Sequence, residues 1–468
     1  MYIIRNLIVT IVLFLASISA HRSQNYDRSP SPWQGLQLGV LILPLSLIIG
    51  GLLIIAATVM TWKDHYATIL RRPVNWVLAV LAIWLVITSV VAHNQTDALI
   101  GLANFLPYFG VFAALPELIS SPVRLWRLAW LIAIGAIPVV IIGIGQMFWG
   151  WGGQVPPLTV IFPWPMAAGG VPLGRMSSVF DYTNVLASYL GVPLPMAIGV
   201  WLDVYDHGQG NGWSKRRVIH LMGIGLAIAG MVVSMVLTHS RNGWAIAMVT
   251  IVAFALYRGW HWLIAFSGAG ITIILVAAFG PASPLREFFR TIVPAYVWAR
   301  LNDQLFPQSH DFLRTTQWQF AVHLTQQRPL TGWGLRNFTP LYEAHTHFWL
   351  GHPHNLLLMI SAEAGIPAAL LLFGLVGWIV AHGWHLFWKW VVSPSKHLNG
   401  SSVYFHPKSD GLILFTYLIA FLNCGLFHTL DVPLFDACVN FLGWLSLAGI
   451  LGLINRQQLP NKSMEKGG

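Results

Sequence analysis

The chain has 468 residues, 56% of them hydrophobic and 9% charged, and its formal net charge is +10. The apolar residues come in long blocks rather than in alternation, which excludes a soluble globular domain and marks an integral membrane protein. The positive charge would suggest nucleic-acid binding on a soluble protein; here it sits between the apolar blocks, so it reads as a topology signal and implies no nucleic-acid partner.

A spanning helix needs roughly 20 mostly apolar residues. In chain order that ruler predicts twelve spans, at 2–20, 36–60, 74–91, 98–119, 125–149, 178–202, 218–238, 242–258, 260–280, 354–381, 411–431 and 434–454. The fold class is therefore all-α: a polytopic bundle of about twelve transmembrane helices, forming one integral membrane domain over 1–468. The first span has a second reading, because Arg5, the apolar run from Leu7 and the small residues Ser17, Ser19 and Ala20 also fit a cleaved secretory signal. An uncleaved anchor is preferred, since its loss would leave eleven spans and disturb the charge pattern.

That pattern is consistent along the chain. With both ends inside, the cytoplasmic segments hold sixteen Lys and Arg and the short outside loops hold four, namely Arg22, Arg28, Arg175 and Arg241. The other six lie in one long segment that is exempt from the rule. Two cysteines, Cys424 and Cys438, fall in apolar stretches and indicate no disulfide framework.

Three regions interrupt the helices. Residues 150–177 are rich in Gly and Pro, including Pro156, Pro157, Gly169 and Gly170, and read as an irregular outside loop. Residues 203–217 form a polar inside loop ending in Lys215, Arg216 and Arg217. Residues 281–353 form a large extracytoplasmic loop between the ninth and tenth spans, far longer than ordinary connections. Its aromatics, among them Trp298, Phe306, Phe312, Trp318, Phe320, Trp333 and Trp349, argue that it folds. Within it, Asp311 is expected to cap a helix ending before Pro329, with Leu313, Phe320 and Leu324 on its apolar side, lying on the membrane surface or over the bundle. Gly332-Trp333-Gly334 follows as a turn.

Next comes a cluster of histidines, His345 and His347 followed by His352-Pro353-His354-Asn355, at the mouth of the tenth span. Two His-x-His pairs so close together are possible zinc ligands. The spacing lacks a His-Glu-x-x-His helix or a cysteine partner, so no metal and no cofactor is assigned.

Taken together, Ser240-Arg241-Asn242-Gly243-Trp244 at the outside start of a span, Arg314 followed by Trp318, Pro329-Leu330-Thr331-Gly332-Trp333-Gly334 with Phe338, and His354-Asn355 before Glu363-Ala364-Gly365 resemble the O-antigen ligase and Wzy-type polymerase superfamily. The resemblance covers roughly 170–450 and includes order, spacing and topology. The ligase pattern runs His, then Asn, Ser or Gln, nine residues, Gly, two residues, and Gly, Thr or Tyr; His354, Asn355 and Gly365 match it and Ala368 departs. A second pattern, Arg with Leu four residues on, meets Arg241 but finds Ala245. Both departures weaken the choice of ligase over polymerase.

What the resemblance implies is transfer of a glycan from undecaprenyl pyrophosphate to a hydroxyl of lipid A core or another glycan, on the outer face of a bacterial plasma membrane. Such a site needs fixed positive charge for the departing pyrophosphate, which arginine supplies, and a base for the acceptor hydroxyl, which histidine supplies. The candidate catalytic residues are His354, Arg241 and Arg314, with Arg336, His352, Asn355 and Glu363 as candidate substrate-binding residues. Plainer readings stand beside these: Arg241 as an interfacial anchor, Arg314 as a solvated charge, Asn355 as a helix cap, Glu363 as a buried group bonded to a neighbour. Asp181, Asn184, Asp431 and Asp436 lie near the same end and receive no role. The rival from another class is an anion transporter, since one similar subfamily is labelled a bicarbonate transporter; the absence of an internal repeat and the gathering of distinctive residues at the outer face favour the enzyme.

Overall fold

The computed structural model describes residues 31–153, 161–302, 304, 313–392 and 407–458. The predicted span 2–20, with its signal-peptide alternative, and the Asp311 cap lie outside the described residues. Those that are described form helices: α1 Ser31–Ile42, α2 Leu47–Arg71, α3 Pro73–Val90, α4 Gln95–Gly101, α5 Leu106–Leu118, α6 Pro122–Phe148, α7 Thr183–Leu190, α8 Pro193–Asn211, α9 Lys215–Leu237, α10 Arg241–Arg258 and α11 His261–Phe279. The long loop contributes α12 Pro284–Ile292, α13 Ala295–Leu301, α14 Arg314–Gln327 and α15 Phe338–Thr346, and α16 Leu356–Val392, α17 Pro407–His428 and α18 Ala437–Gln458 complete the bundle.

Ten helical stretches among the described residues are long and apolar enough to cross a membrane. Each overlaps a predicted span. The eighth predicted span, 242–258, is helical as α10 but carries Arg241 and Arg258 at its ends, and it is not among the ten. Helices α6, α8, α17 and α18 form the centre: 89% of the apolar window of α18 is buried, against 17% for α11 at the periphery. Outward apolar side chains such as Leu226, Phe266 and Leu370 have no protein to bury them and suit hydrocarbon.

The prediction of one span at 36–60 is corrected. Pro44 interrupts the run and Ser46, whose hydroxyl accepts from Ile49 N at 3.3 Å, caps a new helix, so α1 and α2 form an antiparallel hairpin. The backbones approach closely at Gly39 and Gly50, where a side chain would meet Ile54 and Leu43. Trp33, near the start of α1, lies under the Arg124 guanidinium at the start of α6, so α1 runs parallel to α6. The start of α1 therefore lies at the Arg124 end, not at the opposite end as the span count placed it.

Predicted span 354–381 also differs, because α16 continues to Val392 and breaks at Gly365, which has φ 82° and ψ 167°. Pro367 cannot donate to the Glu363 carbonyl, and Ile366 N turns instead to Pro329 O at 2.8 Å. The freed carbonyls of Ala362 and Glu363 take Trp333 N at 3.0 Å and Gly334 N at 2.7 Å. The turn at 332–334 is thus the cap of a broken membrane helix, which is how a helix tolerates irregular backbone away from water. Helix α14 ends here too, as Trp333 Nε1 donates to Leu324 O at 3.0 Å.

Candidate functional site

Asn355 starts α16: its Oδ1 accepts from Leu358 N at 3.0 Å and its Nδ2 donates to Thr429 O at 3.1 Å. The residue before it, His354, has φ 52°, a left-handed conformation uncommon outside glycine. That turn brings the imidazole to α14, where Nδ1 lies 2.8 Å from Oε1 of Gln317. An amide oxygen only accepts, so Nδ1 carries the proton and the Nε2 lone pair is left over. Among the described residues Nε2 makes no hydrogen bond. Next to Gln317, Trp318 Nε1 donates to Pro353 O at 3.0 Å and clamps the same loop.

Gln317 went unnoticed in the sequence. It is 1% exposed and shares the buried face of α14 with Ala321 and Leu324. A polar residue at that helical spacing is the signal that would have found it. Leu313, by contrast, is 40% exposed, which corrects its predicted place on the apolar side.

His352 lies beside His354, ring centroids 4.6 Å apart, and stacks on Phe435. Its Nδ1 accepts the His354 backbone N–H at 3.2 Å, so the neutral ring carries its proton on Nε2, which faces Asp431 Oδ1 at 3.6 Å. Burial first, then the neighbouring His354, hold His352 well below the usual imidazole range against the pull of Asp431. Burial lowers His354 as well, with Asp431 opposing and Arg314 adding to the effect. Both rings are therefore neutral near pH 7, and Arg314 is close enough to act on each.

From Asp431 the contacts continue across the bundle. Asn184 Nδ2 donates to Asp431 Oδ2 at 2.7 Å, and Arg175 Nη2 donates to Asn184 Oδ1 at 3.2 Å. Arg175 is 6% exposed and also donates from Nε to Thr238 O at 3.0 Å. Burial lowers its pKa, and the nearby Arg241 charge pushes the same way, which places Arg241 next in the series. Arg241 starts α10 behind the Ser240 cap and reaches Leu301 O of α13 at 3.5 Å, while Arg300 Nε donates to His239 O at 3.3 Å. Four arginines, at 175, 241, 300 and 314, thus gather around Asp431 at a single end of the bundle. Arg175 and Arg300 were passed over because charge counting treats loop residues as topology.

The structure sets His352 beside His354 with the Arg314 charge near enough to act on both, and the hydrogen-bonded series Asp431, Asn184 and Arg175 leads from them to the neighbourhood of Arg241. Arg336 and Glu363 form a different group. Glu363 is 3% exposed and its Oε1 accepts from Phe338 N at 3.3 Å, with the backbone of Arg336 bonded to the same carboxylate. Asn337 joins this group to the α3–α4 turn, accepting from Asn94 N at 2.6 Å. These contacts fasten the turn at 332–338 to the broken helix, the plainer reading of Glu363. His345 stacks on Phe320 and does not join the His352 pair.

His352, His354 and Asp431 can each direct one ligand atom to a common point, all within 4.8 Å of one another. The remaining chemistry at this end is a neutral imidazole with a bare nitrogen next to fixed guanidinium charge, which suits proton removal beside an anionic leaving group.

No curated protein matches the chain. The family model described as O-antigen ligase matches residues 226–373, a stretch that starts in α9, takes in Arg241, Arg314 and the four loop helices, and ends past the break in α16; over that stretch, about a third of its length, the chain is similar to the O-antigen ligase family.

Proposed function

We propose that the protein is a membrane glycosyltransferase that moves a glycan from undecaprenyl pyrophosphate to a hydroxyl of lipid A core or another glycan, at the outer face of a bacterial plasma membrane, without a metal. The observation that carries this reading is the tautomer of His354, with Nδ1–H on Gln317 and a bare Nε2, on a ring that the Arg314 charge is near enough to act on.

In that reaction the acceptor hydroxyl gives its proton to His354 Nε2 as its oxygen attacks the anomeric carbon. The bond from that carbon to the pyrophosphate oxygen breaks, and its electron pair leaves with undecaprenyl pyrophosphate. Arg314 and Arg241 stabilise the charge that grows on the leaving group, each with a planar fork matched to phosphate oxygens. Attack opposite the leaving group inverts the anomeric centre. Arg175 holds Asn184 and Asp431 in place rather than meeting substrate, since it is buried with its Nε and Nη2 donors engaged. Ala368 and Ala245, at the two positions where the ligase patterns are broken, favour a Wzy-type polymerase as the second reading, with the growing glycan as acceptor.

The test is release of undecaprenyl pyrophosphate by purified protein in lipid nanodiscs, given a lipid-linked oligosaccharide and either lipid A core or free glycan. Acceptor-dependent release that falls about 10²-fold or more in His354→Ala supports the reading. No release with any acceptor, together with bicarbonate uptake into proteoliposomes that survives the same substitution, overturns it in favour of transport.

A further inference from the structure

Beyond glycan transfer, we propose that His352, His354 and Asp431 form a binding site for a divalent transition-metal ion of the zinc class, and that an ion held there occupies the base and shuts the reaction off.

The geometry supplies the ligands. Donor atoms on a tetrahedral zinc ion stand roughly 3.3 Å apart, given metal–ligand distances of about 2.0–2.1 Å. His352 Nε2 and Asp431 Oδ1 are already 3.6 Å apart, and the atoms of all three residues fall within 4.8 Å of one another. His354 offers Nε2, the atom left bare by its bond to Gln317.

The supporting bonds are also those of a ligand set, because imidazoles that bind metals donate their other nitrogen to an oxygen and ligating carboxylates are hydrogen-bonded in turn. His354 does so to Gln317, and Asp431 accepts Asn184 Nδ2 on Oδ2 at 2.7 Å, on the oxygen away from His352. A third imidazole stands near these three residues. His428 Nδ1 lies 2.7 Å from Cys424 O, so its lone pair is on Nε2, and that atom is buried with no partner. It is near enough to interact electrostatically with both His352 and Asp431. A buried unpartnered acceptor near an aspartate and another imidazole is costly unless something electropositive comes between them.

One rearrangement is needed. His352 now carries its proton on Nε2, so ion binding moves that proton to Nδ1 and gives up the 3.2 Å bond from the His354 backbone. Only ions with strong affinity for imidazole offset that loss, so Zn²⁺, Co²⁺ and Ni²⁺ are expected to bind while Mg²⁺ and Ca²⁺ are not. Since the ion takes the Nε2 lone pair of His354, metal loading and proton abstraction exclude each other.

The experiment uses the full chain without a histidine tag, purified in detergent, stripped with chelator and titrated with Co²⁺. One equivalent is expected, with the visible absorption of a four-coordinate cobalt site, displaced by Zn²⁺ and absent with Mg²⁺. His352→Gln and Asp431→Asn should each weaken binding at least about 10-fold, whereas His323→Gln, on the far face of α14, should leave it unchanged. As a readout that needs no variant, Zn²⁺ should protect His352 and His354 from carbethoxylation mapped by mass spectrometry. Absence of a stoichiometric cobalt site, native affinity in both ligand variants, or no protection by zinc overturns the proposal. All of these measure binding alone, so a chain that transfers no glycan but holds cobalt leaves the site standing.

Discussion

Gln317 and His354, separated by 37 positions in sequence, meet at 2.8 Å between the amide oxygen and Nδ1. The contact fixes which nitrogen of the imidazole faces the reaction and which way the ring points. Because a misplaced base loses much of its effect, Gln317→Leu is expected to lower kcat about 10- to 100-fold while KM for the lipid-linked donor changes little. Gln317→Glu keeps an acceptor at the same place and should retain most of the activity. Steady-state kinetics of undecaprenyl pyrophosphate release check this; equal losses in both variants would show that Gln317 acts through folding and not through the ring.

Arg314 and Arg241 carry the leaving-group role in the proposed reaction, and their geometry distinguishes that role from anchoring. A lysine keeps the charge of either residue but not its fork. Arg314→Lys is expected to lower kcat/KM about 10-fold, and Arg314→Ala about 10²- to 10³-fold, the usual size of a lost transition-state donor. If Arg241 only anchors α10 in the headgroup layer, Arg241→Ala will leave these constants unaltered; the same graded loss is expected if it grips pyrophosphate.

The helices were legible because each apolar block is long, and the pairing of His352 with His354 at the mouth of a span was legible because only one residue separates them. What the sequence hid was chain reversal and partnership. The Pro44 turn inside 36–60 is short, and a run of apolar residues on both sides of a proline looks the same whether the chain goes on or folds back. Asp431 lies in a loop about 250 positions beyond Arg175 and Asn184, the latter in the first turn of α7, so no spacing connects it to them before the bundle closes. Gly365 and the turn at 332–334 were noticed as motif letters, but their mutual capping depends on a loop inserted into a broken helix, which periodicity does not register.

That insertion makes its own prediction. Gly365 has a conformation open essentially to glycine alone, and a methyl group there would strike the Leu330 carbonyl. Gly365→Ala should therefore destabilise by about 1–3 kcal/mol from backbone strain, with a further loss as the turn is displaced. Gly374 lies farther along the same helix with open space around it, and Gly374→Ala should be neutral or slightly stabilising. Thermal unfolding in detergent, followed by tryptophan fluorescence, distinguishes the two; similar transitions for both variants would mean that the break in α16 is not fastened by the loop.

Asp436 yields the pH dependence. It lies between the short turn at Pro433–Phe435 and α18, where Oδ1 accepts Val439 N at 2.8 Å, and burial, opposed by that bond and reinforced by Asp181, pushes its carboxyl from 3.8 up to about 6. A raised carboxyl binds its proton more tightly in the folded chain than in the unfolded one, so stability falls as pH rises from about 4 to about 6 and stays lower above that. The difference of about two units corresponds to about 3 kcal/mol. Asn at this position keeps the cap and removes the charge, so Asp436→Asn should match the native chain near pH 4 and exceed it near pH 7, by several degrees in the thermal transition. A variant no more stable than the native chain at pH 7 would show that the carboxylate is accommodated there by solvent or by the arginines at 175 and 241.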